Sequence, residues 1–359
     1  MRVHLSRRPR STRRDERGGV AMVVAFLLVP FMLVTAFVLD YGMAYAQAQA
    51  FASGSDSAAL AIAKAKRSQL TANPGLYATC QQLALADGGQ SLAIAKKQAD
   101  ANGPFGLTSA SSQFDVSVNL KCVDKFGNLS ATGMLQADVT VKRQVPTTFG
   151  QLAGVSAITA TKSSAAAVGA AKSVNGLFPL AICNVTADLI MANAALGAPY
   201  KTETIEVDKV WKPGCDVSGN GSGNWGWIDC GGGVSVPALA DAITNGCASQ
   251  FTLSGTPPTI NLDGTPGNKI NSNNIKTALD GVLGGTYAFP VYTTITGNGA
   301  NTVYKVIGFI ELKIMAYDTN GNIDVQYVSY SPVGQLNTSC GIGVANCASY
   351  NTWATSLVN

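Results

Sequence analysis

The stretch that decides the fold runs from Val20 to Arg67 and reads VAMVVAFLLVPFMLVTAFVLDYGMAYAQAQAFASGSDSAALAIAKAKR. Its first twenty residues contain no ionisable side chain. At 1.5 Å per residue, a helix of this length spans about 30 Å, the thickness of the hydrocarbon core of a bilayer. Pro30 lies midway, where transmembrane helices tolerate a kink. The sequence therefore predicts a transmembrane helix over residues 18–40 that continues beyond Asp40 as one helix.

The residues before this helix, 1–17, form a basic arm. The arm holds seven arginines against two acids, whereas the rest of the 359-residue chain carries 18 basic and 19 acidic side chains. By the positive-inside rule, the arm stays in the cytoplasm and the chain after Asp40 is exported. A nucleic-acid-binding protein spreads its basic charge over a folded face. The sequence thus predicts a membrane-lipid partner and no nucleic acid.

Two alternatives to a permanent anchor stay open at this point. The apolar run could be the core helix of a soluble protein, although its length and lack of charge are typical of a membrane span. It could also be a signal peptide cleaved after Ala44-Tyr45-Ala46, although its apolar part is longer than the usual stretch of about 7–15 residues.

Beyond Asp40, small residues recur at helical spacing and form one narrow seam on the helix. Such a seam lets another helix or a sheet approach closely. The pattern leaves open whether the seam seats the helix on its own domain or packs against another chain. The seam residues are Ala44, Ala48, Ala52, Ser55, Ala59 and Ala63.

The remaining sequence predicts an α+β fold in two parts. A helix is expected over residues 79–101, interrupted at Gly88-Gly89. It is followed by two alternating strands, residues 114–123 and 133–145, joined by the turn DKFGN. These elements complete a pilin-like α/β module, residues 41–172. A β-rich exported domain, residues 173–359, contains the strand-like runs TYAFPVYTTITG, TVYKVIGFIELKIMAYD and NIDVQYVSYSPV.

All eight cysteines follow the apolar run. An even number in an exported region predicts up to four disulfides, whereas a metal or redox site calls for CxxC spacing and usually histidine, neither of which is present. Sequence proximity favours Cys340 with Cys347 and Cys230 with Cys247. The candidates are Cys80, Cys122, Cys183, Cys215, Cys230, Cys247, Cys340 and Cys347.

The sequence predicts no catalytic residue and no cofactor. The one histidine, His4, lies in the basic arm, so the exported part has no imidazole for nucleophilic catalysis or for a typical zinc site. A pair of carboxylates could still hydrolyse glycosides, but surface acids explain the same residues. These scattered acids are Asp229, Asp241, Asp263, Asp280 and Glu311.

Two segments suggest binding. In DTNGNID, oxygen-bearing side chains alternate around a glycine, as in a calcium loop, but the distal Glu of an EF-hand is missing and a hairpin turn explains the same letters. The loop of residues 213–233 carries Trp225 and Trp227, which would stack on sugar rings or fill a small core. We expect this loop to be pinned by Cys215 and Cys230. The calcium candidates are Asp318, Asn320, Asn322 and Asp324.

The segment from Arg13 to Ala63 resembles the N-terminal segment of the TadE/TadG-like proteins of bacterial Flp (Tad, tight-adherence) pilus assembly. The resemblance is carried by Arg17-Gly18, the apolar span and SDSAALAIA, while Phe51 and residues 53–55 depart from the family pattern. Looser similarity follows in NGLFPLAI, NWGWIDCGGG and FPVYTTITGNGANTVYKVIGFIELKI. The helix-packing and family-motif residues are Asp40, Gly42, Tyr45, Ala48, Ala52, Asp56, Ala59 and Leu60.

The resemblance implies a single-pass protein of the bacterial inner membrane with a periplasmic C-terminal region. Its expected partners are other Tad pilus-assembly proteins or pilin-like subunits, and its expected role is that of a minor pilin-like or scaffold protein. A major pilin is disfavoured, because a cut after Gly19 would place Val24 where prepilins carry Glu. An adhesin or other binding module is the alternative. We also hypothesise that replacing Ala48 and Ala52 with Leu disturbs assembly more than export.

Overall fold

The structure is a computed structural model that describes residues 17–72, 76–102, 109, 114–195, 202–205, 225–255, 257–328, 335–344, 350 and 352–358. Helix α1, Arg17–Ala72, is one continuous helix of 56 residues with Pro30 inside it. Its Ala, Leu, Gln and Lys residues have high helix propensity, which accounts for its continuation beyond the apolar part. Gly54 lies against residues 99–102, and a Cβ added to it would be 3.6 Å from the Cα of Ala99.

Helix α1 and two short helices cover a four-stranded antiparallel sheet. Helices α2, Cys80–Leu85, and α3, Gln90–Ala101, are separated at Gly88-Gly89, as the sequence predicts. Strands β1, Asp115–Val123, β2, Met134–Pro146, and β3, Ala157–Ala170, follow in the chain. The sheet order is β1-β2-β3-β13, where β13, Trp353–Val358, comes from the C-terminal end of the chain.

The rest of the described chain forms a second large sheet, a separate two-stranded sheet, three more α-helices and the last strand of the first sheet. The strands are β4, Ser173–Val174, β5, Leu180–Cys183, β6, Thr202–Ile205, β7, Trp225–Ile228, β8, Phe251–Thr252, β9, Ile260–Pro266, β10, Thr286–Thr296, β11, Thr302–Tyr317, β12, Ile323–Tyr327, and β13, Trp353–Val358. The helices are α4, Asn184–Ala195, α5, Val236–Asn245, and α6, Asn273–Val282.

The second sheet has seven strands in the order β10-β5-β7-β9-β11-β12-β6, and β10 also pairs with β11. This extra pairing closes five of the strands into a ring. The pairing of β5 with β10 is parallel, and the other pairings in the sheet are antiparallel. Tyr304 of β11 lies against Gly226 and Gly264, where an added Cβ would meet its side chain at 1.8 and 2.8 Å. Glycine is therefore required at both positions for the ring to close around this tyrosine.

The two sheets share one hydrophobic cluster. Val123 and Met134 of the first sheet belong to it together with Leu262, Tyr304 and Phe309 of the second. Strand β13 pairs along β3, from Trp353 opposite Ala170 to Val358 opposite Ala165. The predicted C-terminal domain, residues 173–359, thus contributes one strand to the first sheet, and the boundary near residue 172 stays a prediction.

The predicted α+β class is confirmed: helix and strand are mixed, one long apolar helix leads the chain, the sheets are antiparallel apart from one strand pair, and a disulfide lies in the C-terminal region. Several strands were not predicted, namely β3 and β13 of the first sheet and β4 to β9 elsewhere. Of these, β3 is an Ala-rich strand that lies between β2 and β13. Residues 1–16 of the basic arm lie outside the described residues.

Candidate functional site

The apolar half of α1 is exposed along its length. Between residues 22 and 39, Ala36 has the one buried side chain, while Phe26 and Phe31 are about four-fifths exposed, at 80% and 77%. The segment is long and apolar enough to cross a membrane, with a mean hydropathy of 2.8 over its best window. A surface this apolar is unfavourable in water at roughly 25 cal/mol per Å², so the helix needs lipid or another apolar partner around it.

Asp40 marks the end of this exposed half. Its carboxylate is buried and accepts three hydrogen bonds from consecutive backbone N–H groups, those of Thr148 at 2.9 Å, Phe149 at 2.9 Å and Gly150 at 2.7 Å. These groups open the 3₁₀ turn Gly150–Ala153 in the connection between β2 and β3. A carboxylate is well suited to unpaired N–H groups at a helical N-terminus. Asp40 therefore fixes α1 to the first sheet at the point where the apolar half ends.

Beyond Asp40, the small-residue seam faces the first sheet and α3. Ala44, Ser55, Ala59 and Ala63 are at most 5% exposed, and the alanines contact buried side chains of the first sheet and α3. Ala48 and Ala52 are half-buried on the same face. In the described residues, the seam therefore seats the helix on its own domain.

Residues 18–65 match the family described as Flp pilus-assembly TadE/G-like, Tad. We call this stretch the Tad segment. It contains both the exposed apolar half of α1 and most of the packed half, with Asp40 between them. Among curated proteins and among solved structures, no match was found.

The motif residues of the Tad segment divide into two sets. Asp40 and Ala59 are buried, and Leu60 is half-buried in the contact with the first sheet. Gly42, Tyr45 and Asp56 are exposed, and nothing lies within 4 Å of a Cβ added to Gly42. Tyr41 and Tyr45 are each 58% exposed and lie one helical turn apart just beyond Asp40. Exposed tyrosines at this level are typical of the interface between membrane and water.

Immediately after the Tad segment, α1 carries a buried ion pair. Lys66 is 2% exposed and its Nζ lies 2.9 Å from Oδ1 of Asp87. Burial alone would raise the pKa of Asp87, but hydrogen bonds from Ser91 and Lys66 hold that pKa below its usual value. The next residue, Arg67, interacts electrostatically with the buried Glu311 of β11, which links α1 by charge to the second sheet.

Two disulfides are described with both partners. Cys80–Cys122 joins α2 to β1, and Cys230–Cys247 joins the segments after β7 and α5. The predicted pairing of Cys230 with Cys247 is confirmed, and the expected role of Cys215 in pinning the loop of residues 213–233 stays a prediction. Cys183 and Cys340 are also disulfide-bonded. Cys215 and Cys347, and with Cys347 the predicted pair to Cys340, lie outside the described residues.

The predicted calcium residues form the hairpin turn between β11 and β12. Asp318 accepts hydrogen bonds from the backbone N–H groups of Asn320 and Asn322, and from the Asn322 side chain at 2.7 Å. The backbone hydrogen bond from Asn322 lowers the pKa of Asp318 below its usual value. Asp324 accepts from Thr204 of β6 at 2.6 Å. In the described part of the chain, no three His, Cys, Asp or Glu side chains are grouped so as to hold a metal ion. The calcium site stays a prediction.

The scattered acids are not brought together. Asp229 accepts hydrogen bonds from the backbone N–H groups of Gly231 and Gly233 in its own loop. Asp241 accepts a hydrogen bond from Asn245 within α5, and Asp280 accepts one from Tyr317 at 2.7 Å. Glu311 is buried beside Arg67, and Asp263 is exposed on β9. Trp227 is fully buried in the core of the second sheet, so its ring is not available to a sugar. The side chain of Trp225 lies outside the described residues.

Proposed function

We propose that the chain is a membrane-anchored structural component of Flp/Tad pilus assembly, either a minor pilin-like or an envelope scaffold protein. The apolar half of α1 spans the bacterial inner membrane once, the basic arm lies in the cytoplasm, and the residues after Asp40 are periplasmic. The observation that carries this proposal is the Tad segment itself. It joins an exposed apolar helix of membrane length to a folded domain without a break.

A helix locked to its domain supports a structural role in particular. The buried seam and the Asp40 contacts couple any movement of the membrane helix to the first sheet. Tyr41 and Tyr45, one helical turn apart on the exposed side of α1, are available for other Tad proteins or pilin-like subunits near the membrane surface. No arrangement of acids or nucleophiles in the described residues supports catalysis, and we propose no enzymatic activity.

Complementation of a strain that lacks the chain tests this proposal. In a released variant, a cleavable signal peptide replaces residues 1–39. In an anchored variant, Met22–Leu39 is replaced by a scrambled apolar segment of equal length. We expect the wild type and the anchored variant to restore pili. The released variant should be exported and resistant to protease, yet fail to restore pili.

Pili restored by the released variant would contradict the anchored role. If instead pili assemble without the chain while surface attachment is lost, the adhesin alternative replaces the assembly role.

A further inference from the structure

The connection between β2 and β3, residues 147–156, is an uncharged loop with apolar side chains facing outward. It reads TTFGQLAGVS, and Phe149 and Val155 are 41% and 44% exposed. We call it the base loop. Exposed apolar side chains on a loop without charge are costly in water and mark a contact with a partner or a membrane.

The base loop lies directly against the membrane-spanning half of α1. Asp40 holds its backbone at 148–150, and the ring of Phe149 borders a groove of about 480 Å³. The other groove residues come from α1 between Val29 and Leu39, on the membrane side of Asp40. The groove is thus continuous with the apolar span of α1, and Phe149 lies at the level of the last turns of that span.

Most backbone N–H groups of the base loop donate hydrogen bonds to acceptors within the chain. Besides the three N–H groups held by Asp40, those of Thr147, Gly154 and Val155 donate to backbone oxygens of Ser156, Gln151 and Gly150. Unpaired backbone groups are what exclude loops from apolar surroundings. A loop with these groups paired can enter the interfacial region at low cost.

Basic side chains predominate on the parts of β2 and β3 next to the base loop, although Asp115 of β1 lies opposite Lys142. From residue 139 to residue 162 the chain contains Lys142, Arg143 and Lys162 and no acid. The two lysines lie on neighbouring rungs of the ladder between β2 and β3, because Val141 pairs with Lys162 and Lys142 pairs with Thr161. Pro146 is four residues from Lys142, about 13 Å along a strand at 3.3 Å per residue. This distance places positive charge at the height of lipid headgroups when the loop tip reaches the acyl chains.

We propose that the base loop is a second membrane contact of the chain. Phe149 and Val155 enter the periplasmic leaflet beside α1, and the basic residues above them contact anionic phospholipid headgroups. This inference rests on the proposed function, since it requires that residues 20–39 span the membrane. One helix alone leaves tilt and rotation undetermined, whereas a helix and a rigidly attached loop fix both. The orientation of the exported domain on the membrane is then set by the fold.

Spin-label accessibility on the full-length protein tests this contact. The protein is reconstituted in vesicles of phosphatidylethanolamine and phosphatidylglycerol and labelled in three variants, Phe149→Cys, Phe126→Cys and Phe31→Cys. The described native cysteines are all disulfide-bonded and do not compete for the label. Phe126, 76% exposed in the turn at the opposite end of β2, is the matched aqueous control, and Phe31 is the control within the span.

We expect collisions with oxygen to exceed those with a water-soluble nickel complex at residues 149 and 31, and the reverse at residue 126. A label at 149 that is as accessible to nickel as the label at 126, with 31 in lipid, would overturn the base-loop contact and leave the anchor intact. Water accessibility at both 149 and 31 would instead overturn the proposed anchor.

Two further outcomes would also count against the inference. Shielding of residue 149 from both oxygen and nickel would mean that protein covers the loop rather than lipid. An unchanged preference for oxygen at 149 in vesicles without phosphatidylglycerol would overturn the headgroup contact of the basic residues.

Discussion

At the scale of single residues, Asp40 joins the membrane helix to the folded domain. One carboxylate takes three backbone N–H groups that would otherwise lack partners at the start of a 3₁₀ turn. A carboxylate accepts in several directions and donates none, so neither Asn nor Ser would satisfy the same three donors. The acid at the end of the apolar run is therefore explained by a contact within the chain.

Replacing Asp40 with Ala should loosen the base loop. We expect faster hydrogen exchange at the amides of residues 148–150 and a lower unfolding temperature of the folded domain after Asp40. Asp56→Ala is the matched control, because Asp56 lies on the same helix and is exposed. Unchanged protection of these three amides in the Asp40 variant would contradict the assignment.

The ion pair of Lys66 and Asp87 predicts a specific dependence on pH. The pKa of Asp87 is lowered in the folded state, so its contribution to stability is present above the unfolded value of about 3.9 and is lost as the pH falls through the folded pKa. Asp87→Asn should cost about 2 kcal/mol at neutral pH. This is less than for a fully buried pair, because Asp87 is partly in water.

The measurement is chemical denaturation of the wild type and of Asp87→Asn between neutral pH and pH 3. The stability difference between them should shrink below pH 4. A difference that is constant over this range would show that the carboxylate charge contributes nothing.

At the scale of elements, the two halves of helix α1 have different surroundings. Its first half exposes large apolar side chains, and its second half presents small residues to a sheet and to α3. The small seam brings the helix axis close to the sheet, which a leucine-rich face would not allow. Ala48 packs partly against its own domain, so Leu at positions 48 and 52 is also expected to disturb folding. The hypothesis that the double change disturbs assembly more than export stays a prediction.

Overpacking the seam tests this account. Ala59→Leu places a large side chain in a fully buried site and should destabilise the exported domain by about 1–3 kcal/mol. Ala46→Leu, on the exposed face of the same helix, should be close to neutral. Equal stability of the two variants in denaturant would mean that the seam does not pack as described.

The elements differ in how far the sequence predicts them. The long helix, the break at Gly88-Gly89, the β1–β2 hairpin and strands β10 to β12 follow from periodicity and turn residues. Strand β3 was missed because its Ala-rich sequence has low β propensity, and it is held by strands on both sides instead. The partner of Asp40 was missed for a related reason, because the contact spans 108 residues and leaves no local pattern.

At the scale of the whole molecule, the C-terminal strand β13 pairs with the sheet that packs against α1. Strand β13 completes the first sheet, and the two sheets share a hydrophobic cluster. Trp353 of β13 joins the cluster that contains Leu70 of α1 and the Cys80–Cys122 disulfide. The end of the chain thus stabilises the module that carries the membrane helix.

Trp353→Ala should be severely destabilising. Trp353 is 7% exposed, and removing a large buried aromatic side chain costs about 3–5 kcal/mol. Leu357→Ala on the same strand is the control, since Leu357 is 42% exposed. Limited proteolysis of the exported region should cleave the Trp353 variant within the first module. Equal resistance of both variants would contradict a structural role for β13.

The central claim is that α1 remains as a permanent anchor. The most direct measurement is the intact mass and N-terminal sequence of the mature protein, taken from membranes washed with alkaline carbonate. We predict that the protein stays in the membrane pellet and that its chain still begins within the basic arm. A chain that begins near Val20 would indicate pilin-type processing. A soluble chain that begins at Gln47 would contradict the anchor outright.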